Sequence, residues 1–181
     1  AVRVAYLLEQ GVDANARDTE GYSPLLTAVR TRYDDLSRLL IDKGADVNLA
    51  DNDGWTPLMY AAWRDSPDIA RALVAKGAKL ETRNPKGLTA LAVAAQHGRT
   101  GTLKALLELK ADKEGSVGAG GYTPLMLALA GGWEDSAEAL IDAGANVNAT
   151  NAGGTTPLMM AVHYGTRESA HESTIANGCC P

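Results

Sequence analysis

Three histidines, two cysteines, a glycine-rich loop and a scatter of carboxylates are the residues of this chain whose types could do chemistry. The cysteines are Cys179 and Cys180, adjacent in sequence. Neighbouring Cα atoms lie about 3.8 Å apart, below the usual disulfide range of ~4.4–6.8 Å. A disulfide framework is therefore excluded, and two thiols are too few for a cysteine zinc site. Residues 115–121, GSVGAGG, are rich enough in glycine to cradle a phosphate. No Lys-Ser/Thr follows them, however, and their glycines miss the dinucleotide-binding spacing, so a structural loop is the better reading. No Gly-x-Ser-x-Gly elbow occurs. Metal-binding or proton-transfer roles for His97, His163 and His171 depend on which elements carry them.

Those elements are set by a repeat. GYSPLLTAV (21–29), GWTPLMYAA (54–62), GLTALAVAA (87–95), GYTPLMLAL (121–129) and GTTPLMMAV (154–162) are five versions of one stretch. Their leading glycines are spaced by 33, 33, 34 and 33 residues, the signature of a stacked-repeat architecture. In the unit from Asp51 to Arg83, Asp51-Asn52-Asp53-Gly54 is turn chemistry. Thr56 is placed to N-cap a helix with Pro57 at its first position, where the missing N–H costs nothing. Leu58, Ala61 and Ala62 form its apolar stripe. Ser66-Pro67-Asp68 starts a second helix with Ile69, Ala70, Leu73 and Val74 inside, and Lys76-Gly77 closes it. Helices this short are marginal alone, so each buries a face against the next copy and the array is the folding unit.

These residues resemble the ankyrin repeat. DTEGYSPLLTA with LSRLLIDKGADVN, DNDGWTPLMYA with IARALVAKGAKLE, NPKGLTALAVA with LKALLELKADKE, and GAGGYTPLMLA with AEALIDAGANVN carry the family pattern. NAGGTTPLMMA opens a last copy whose second half is degraded. The resemblance implies an all-α repeat solenoid of helix-turn-helix units with hairpin-like loop fingers, in one domain over 1–181. Residues 1–17 are a partial repeat. The full repeats are 18–50, 51–83, 84–117 and 118–150, and 151–181 is a capping repeat and tail. The family's His after Thr-Pro-Leu is Leu26, Met59, Ala92, Met126 and Met159 here, so the loops must be held some other way. The second-helix glycine is Lys110 in the third repeat, and the 111–121 loop has one extra residue and four glycines, which marks it as the mobile finger. Such departures point to a natural array rather than a consensus design, and the resemblance implies a bacterial-type one.

Set on this array, the histidines lose their chemistry. Helix layers stack about 8–10 Å apart, so His97 lies two layers from His163, too far for one ion. The carboxylates at second-helix spacing (Asp34, Asp35, Asp42, Asp68, Glu108, Glu134, Asp135, Glu138, Asp142) read as a solvated face. The chain is accordingly not read as an enzyme, and no cofactor or metal is expected. The resemblance implies instead a concave surface of turn tips and first-helix ends. Tyr22, Trp55, Trp63 and Tyr122 fall there, where solvent is expected, with Arg30, Arg64, Lys86 and His97 among them and Arg17 and Arg83 just before two tips. Trp, Tyr and Arg are the types enriched at binding hot spots. With the acids on the second helices, the expectation is a basic-aromatic groove and an acidic back.

The implied role is a protein–protein interaction module that binds an acidic or mixed surface, or an extended segment, of a partner protein. One form would be an inhibitor or immunity-type protein covering a partner enzyme. The alternative is a structural spacer or targeting segment of a larger protein. A net charge of −5 disfavours nucleic acid. No apolar run spans a membrane and no leader is visible, although the chain opens inside a repeat without an initial Met. A soluble monomer is expected, in the cytoplasm, with a periplasmic or secreted location open if a leader was removed.

Overall fold

The computed structural model describes residues 2–165. Those residues hold ten helices: α1 (Val2–Glu9), α2 (Pro24–Arg30), α3 (Asp34–Asp42), α4 (Pro57–Arg64), α5 (Pro67–Ala75), α6 (Ala90–Gln96), α7 (Thr100–Glu108), α8 (Pro124–Ala130), α9 (Glu134–Asp142) and α10 (Pro157–Gly165). The first helices α2, α4, α6, α8 and α10 stand side by side in one row, and α3, α5, α7 and α9 form a second row behind them. Two rows of short helices make an all-α solenoid, as the repeat spacing predicts. His171, Cys179 and Cys180 lie outside the described residues.

Each first helix begins in the same way. The hydroxyls of Ser23, Thr56, Thr89, Thr123 and Thr156 accept the backbone N–H three residues on, at 3.2–3.3 Å. This satisfies one of the amides that a helix start leaves without an acceptor. Pro24, Pro57, Pro124 and Pro157 open four of these helices, and Ala90 opens the fifth. The expected stripes are buried: Leu58, Ala61 and Ala62 in α4, and Ile69, Ala70 and Leu73 in α5, with Val74 half-buried. Leu26, Met59, Ala92, Met126 and Met159 stand where the family has histidine, and all but the exposed Met159 are fully buried.

The second helices start differently from the expectation. Ser66 occupies the cap position of α5, but its side chain makes no cap bond, and its Oγ is buried without a partner. Acids in the first turn do the work at α3 (Asp34, Asp35), α5 (Asp68) and α9 (Glu134, Asp135) by meeting the positive end of the helix dipole. Helix α7 starts Thr100-Gly101-Thr102 and has no acid in its first turn. Asp65, from the preceding repeat, supplies it: its Oδ1 accepts the Thr102 N–H at 2.7 Å.

The repeats are also sewn together by side chains 33 residues apart. Asn15, Asn48, Glu81 and Glu114 each accept a backbone N–H of the following repeat, from Asp46, Lys79, Asp112 and Asn146, at 2.8–3.0 Å. The 111–121 finger closes through a reciprocal pair, Val117 N–H to Tyr122 O at 2.8 Å and Tyr122 N–H to Val117 O at 3.1 Å. Val117 is buried beneath it. At the two ends of the array, apolar side chains face outward: Val2, Tyr6 and Leu7 on α1, and Leu158, Met159 and Val162 on α10. Among the described residues, no helix is long and apolar enough to cross a membrane.

Candidate functional site

The second turn is the base of the site. Asp51 sits at its start, and its Oδ1 accepts the N–H of Asp53 at 3.0 Å and of Trp55 at 2.8 Å. That arrangement fixes the turn without the family's histidine. The other carboxylate oxygen, Oδ2, accepts the Tyr60 hydroxyl at 2.7 Å. Tyr60 projects from the first turn of α4, and its hydroxyl lies 3.3 Å from that of Tyr22 in the preceding repeat. Tyr60 is 4% exposed, and its phenol is held protonated above its ordinary range. Burial is the main cause, followed by the hydrogen bonds to Tyr22 and Asp51 and the Asp51 charge.

An aromatic column grows from this anchor. Tyr22 and Tyr60 ring centres are 6.3 Å apart, Trp55 and Tyr60 are 5.2 Å apart, and Trp63 lies 6.4 Å from both Trp55 and Tyr60. The two Trp63 contacts are edge-on, the arrangement that ring quadrupoles favour. An arginine closes each end. The Arg30 guanidinium lies 4.3 Å over the Tyr22 ring, and that of Arg64 lies 4.0 Å over Trp63. The two are tied together, because Arg64 Nε donates to the Arg30 carbonyl at 2.7 Å.

This geometry corrects the expected exposure. Trp55 does not face solvent: at 7% exposed it is part of the core, packed under Tyr60 and Trp63. Tyr22, Trp63, Arg30 and Arg64 are half-buried. Tyr122 is half-buried too, but its ring folds over Gly120, two repeats along, and makes no ring contact with the column. Lys86 is exposed at the tip of the third turn. His97 caps the C-terminal end of α6 and is half-buried. Burial, and then the nearby Arg99 charge, hold its imidazole below its ordinary pKa.

Arg17 and Arg83 are not groove cations. Arg17 donates to the carbonyls of Gly21 (3.1 Å) and Ala50 (2.6 Å), and Arg83 to those of Gly87 (3.0 Å) and Ser116 (2.7 Å). They staple successive fingers. The back is not uniformly acidic either. Arg38 pairs with Asp68, Arg71 with Asp68 and Glu108, Lys43 with Glu9, and Lys76 with Asp42. Only α9, with Glu134, Asp135, Glu138 and Asp142, carries acids and no base.

Two residues that sequence reasoning passed over matter here. Tyr60 holds the column together, and its only sequence signal was an aromatic nine residues after the turn aspartate. Trp133 leaves none. Its Nε1 donates to the Gln96 carbonyl at 2.9 Å, and its indole lies over Gly98 and Gly131, where any side chain would collide with it. Among the described residues, no three His, Cys, Asp or Glu side chains stand close enough to hold a metal.

A comparison with curated proteins finds no match. A family model describing ankyrin repeats matches residues 3–84, 50–116, 76–151 and 112–172, overlapping along nearly the whole chain. Proteins of this kind are typically interaction domains rather than enzymes. With five capped first helices at one period, two helix rows and loop fingers between them, the chain belongs to the ankyrin-repeat family.

Proposed function

We propose that this chain is a non-enzymatic module that binds a partner protein on the face made by its finger tips and first-helix ends. The binding centre is Tyr22, Arg30, Trp63 and Arg64, with Trp55 supporting it from beneath and Lys86, His97 and Tyr122 on its flank. The observation that carries this reading is the pair of arginines. Both guanidiniums lie on aromatic rings, half-buried, with no carboxylate within ion-pair distance among the described residues. Stacked arginine over tryptophan and tyrosine is hot-spot chemistry, and a rigid platform loses little entropy on binding. The partner presents an acidic or mixed surface, or an extended segment. Covering an enzyme's active site in the manner of an inhibitor is one form of this role. The module acts as a monomer, which sedimentation of the purified chain checks.

The test is capture from the native lysate on wild type and on a Trp63→Ala variant, followed by titration of each retained protein, purified, against both. Trp63 is chosen over Trp55 because truncating a core residue would confuse unfolding with lost binding. A partner that binds wild type at least about tenfold more tightly, or by about 1.4 kcal/mol, supports the reading. Partners that bind both forms equally sink it.

A further inference from the structure

Among the described arginines and lysines, six have side chains taken up by backbone carbonyls or carboxylates, and two more are held by aromatic rings without a carboxylate. Arg17 and Arg83 are taken by backbone carbonyls. Arg38, Arg71, Lys43 and Lys76 are taken by carboxylates on the second-helix face. Arg30 and Arg64 belong to the other class. Their positions are fixed by the Tyr22 and Trp63 rings and by the Arg64 Nε bond to the Arg30 carbonyl. Arg30 Nε is buried with no acceptor at all. Two cations held in place, partly stripped of water and lacking a counter-charge, are an unfinished interaction.

We infer that Arg30 and Arg64 form a carboxylate receptor, and that the occupant is an acidic extended segment of a partner protein whose Asp or Glu side chains pair with these two guanidiniums. This rests on the binding reading above and narrows it to one chemistry. Three physical points support it. A guanidinium presents several N–H donors in a planar fork that matches a carboxylate two-by-two. Stacking on Tyr22 and Trp63 covers the faces, Arg64 Nε is taken by the Arg30 carbonyl and Arg30 Nε is buried, so the terminal N–H groups are the hydrogen-bonding direction left to each guanidinium. The neighbouring ring surface accepts the apolar part of the same segment. The chain's own net charge of −5 repels acidic chains in general, so such a segment is drawn to where ring-held positive charge stands without a carboxylate partner among the described residues.

The experiment is a peptide array of random linear sequences, probed with the labelled 181-residue chain and three variants. Arg30→Gln/Arg64→Gln removes the receptor. Arg38→Gln/Arg71→Gln makes the same change of net charge on the other face. Trp63→Ala disturbs the ring surface while keeping both arginines. Thermal unfolding of each variant confirms that it is folded. The expected result is that retained peptides are enriched in Asp and Glu. Their Asp→Asn and Glu→Gln versions should be lost, and Arg30→Gln/Arg64→Gln should weaken capture at least about tenfold, or about 1.4 kcal/mol. Arg38→Gln/Arg71→Gln should stay within about twofold. Added salt should weaken capture by wild type.

If retained peptides show no acidic preference but are lost with Trp63→Ala, the receptor assignment is overturned while the binding face stands. If the two double variants weaken capture equally, overall charge is responsible and the receptor is again overturned. If no peptide distinguishes wild type from any variant, both the receptor and the binding face fall.

Discussion

The second and third turns have nearly the same backbone and different consequences. Asp51 N–H bonds to the Trp55 carbonyl at 3.1 Å, and Asn84 N–H to the Leu88 carbonyl at 3.1 Å. Gly54 and Gly87 close the two turns at 3.0 and 2.8 Å. Asn84 Oδ1 accepts from Lys86 and Leu88, as Asp51 Oδ1 accepts from Asp53 and Trp55. The difference lies in the second atom of the side chain. Asp51 Oδ2 receives the Tyr60 hydroxyl, whereas Asn84 Nδ2 is buried with no partner, and the residue at Tyr60's place in that repeat is Val93. The repeat fold needs only the first atom. The second is free to vary, and in one repeat it anchors an aromatic column that the others lack.

That comparison is broken most sharply by removing each turn side chain. Asp51→Ala should cost about 3 kcal/mol, because two backbone amides and a buried hydroxyl lose a charged acceptor. Asn84→Ala should cost only about 1 kcal/mol, since it also deletes an unsatisfied amide nitrogen. Urea unfolding of the two variants measures the gap, and equal costs would mean that the Tyr60 bond contributes nothing.

Tyr60→Phe isolates that bond and should cost about 2 kcal/mol by leaving a buried carboxylate oxygen without its donor. It should also change the alkaline limb. The folded Tyr60 pKa is raised above the unfolded value near 10, so the unfolded chain loses its proton first. The stability Tyr60 provides is complete below about pH 10 and is lost as pH rises above it. Thermal melts between pH 9 and 11 should therefore fall less steeply for Tyr60→Phe than for wild type.

A third comparison sets Lys110 against Gly44, Gly77 and Gly144, its counterparts after the other second helices. All four adopt positive φ, Lys110 at 69°. A side chain there is strained by about 1 kcal/mol, so Lys110→Gly should stabilise by about that amount and raise the melting temperature. No change would mean that the lysine side chain makes up the strain elsewhere.

The smallest effect separates His97 from the column beside it. Its folded pKa lies below 6.5, so the unfolded chain binds the proton more readily. Its contribution is present above pH 6.5 and lost as pH falls through the lowered value. His97→Gln should flatten the stability profile between pH 7 and 5, measured by urea midpoints. A profile unchanged by the substitution would show that His97 is solvated as in the unfolded chain.

Much of this was legible in the residues. The period of the glycines, the Ser/Thr-Pro starts and the apolar stripes gave the two helix rows, because each is a local rule repeated in phase. The candidate face was legible in part. Tyr22, Arg30, Trp63 and Arg64 do assemble, but Trp55 lies beneath them, and Arg17 and Arg83, which the sequence places just before two tips of a basic groove, staple successive fingers instead. A residue's type says what it can bond to, while its neighbours one repeat away say what it does bond to.

The sequence by itself determined the repeat, its helices, its capping hydroxyls and its family, since each is a local pattern that returns at a fixed period along the chain. Only the tertiary structure decided which side chains are used across repeats. It brings Asp65 to cap α7, lays Trp133 over two glycines, and joins Asp51, Tyr60 and Tyr22 into one network. It also leaves Arg30 and Arg64 stacked and without a counter-charge. The physical reason is that hydrogen bonds and ion pairs act over about 3–4 Å, and residues some 33 positions apart come within that distance only when one layer packs on the next.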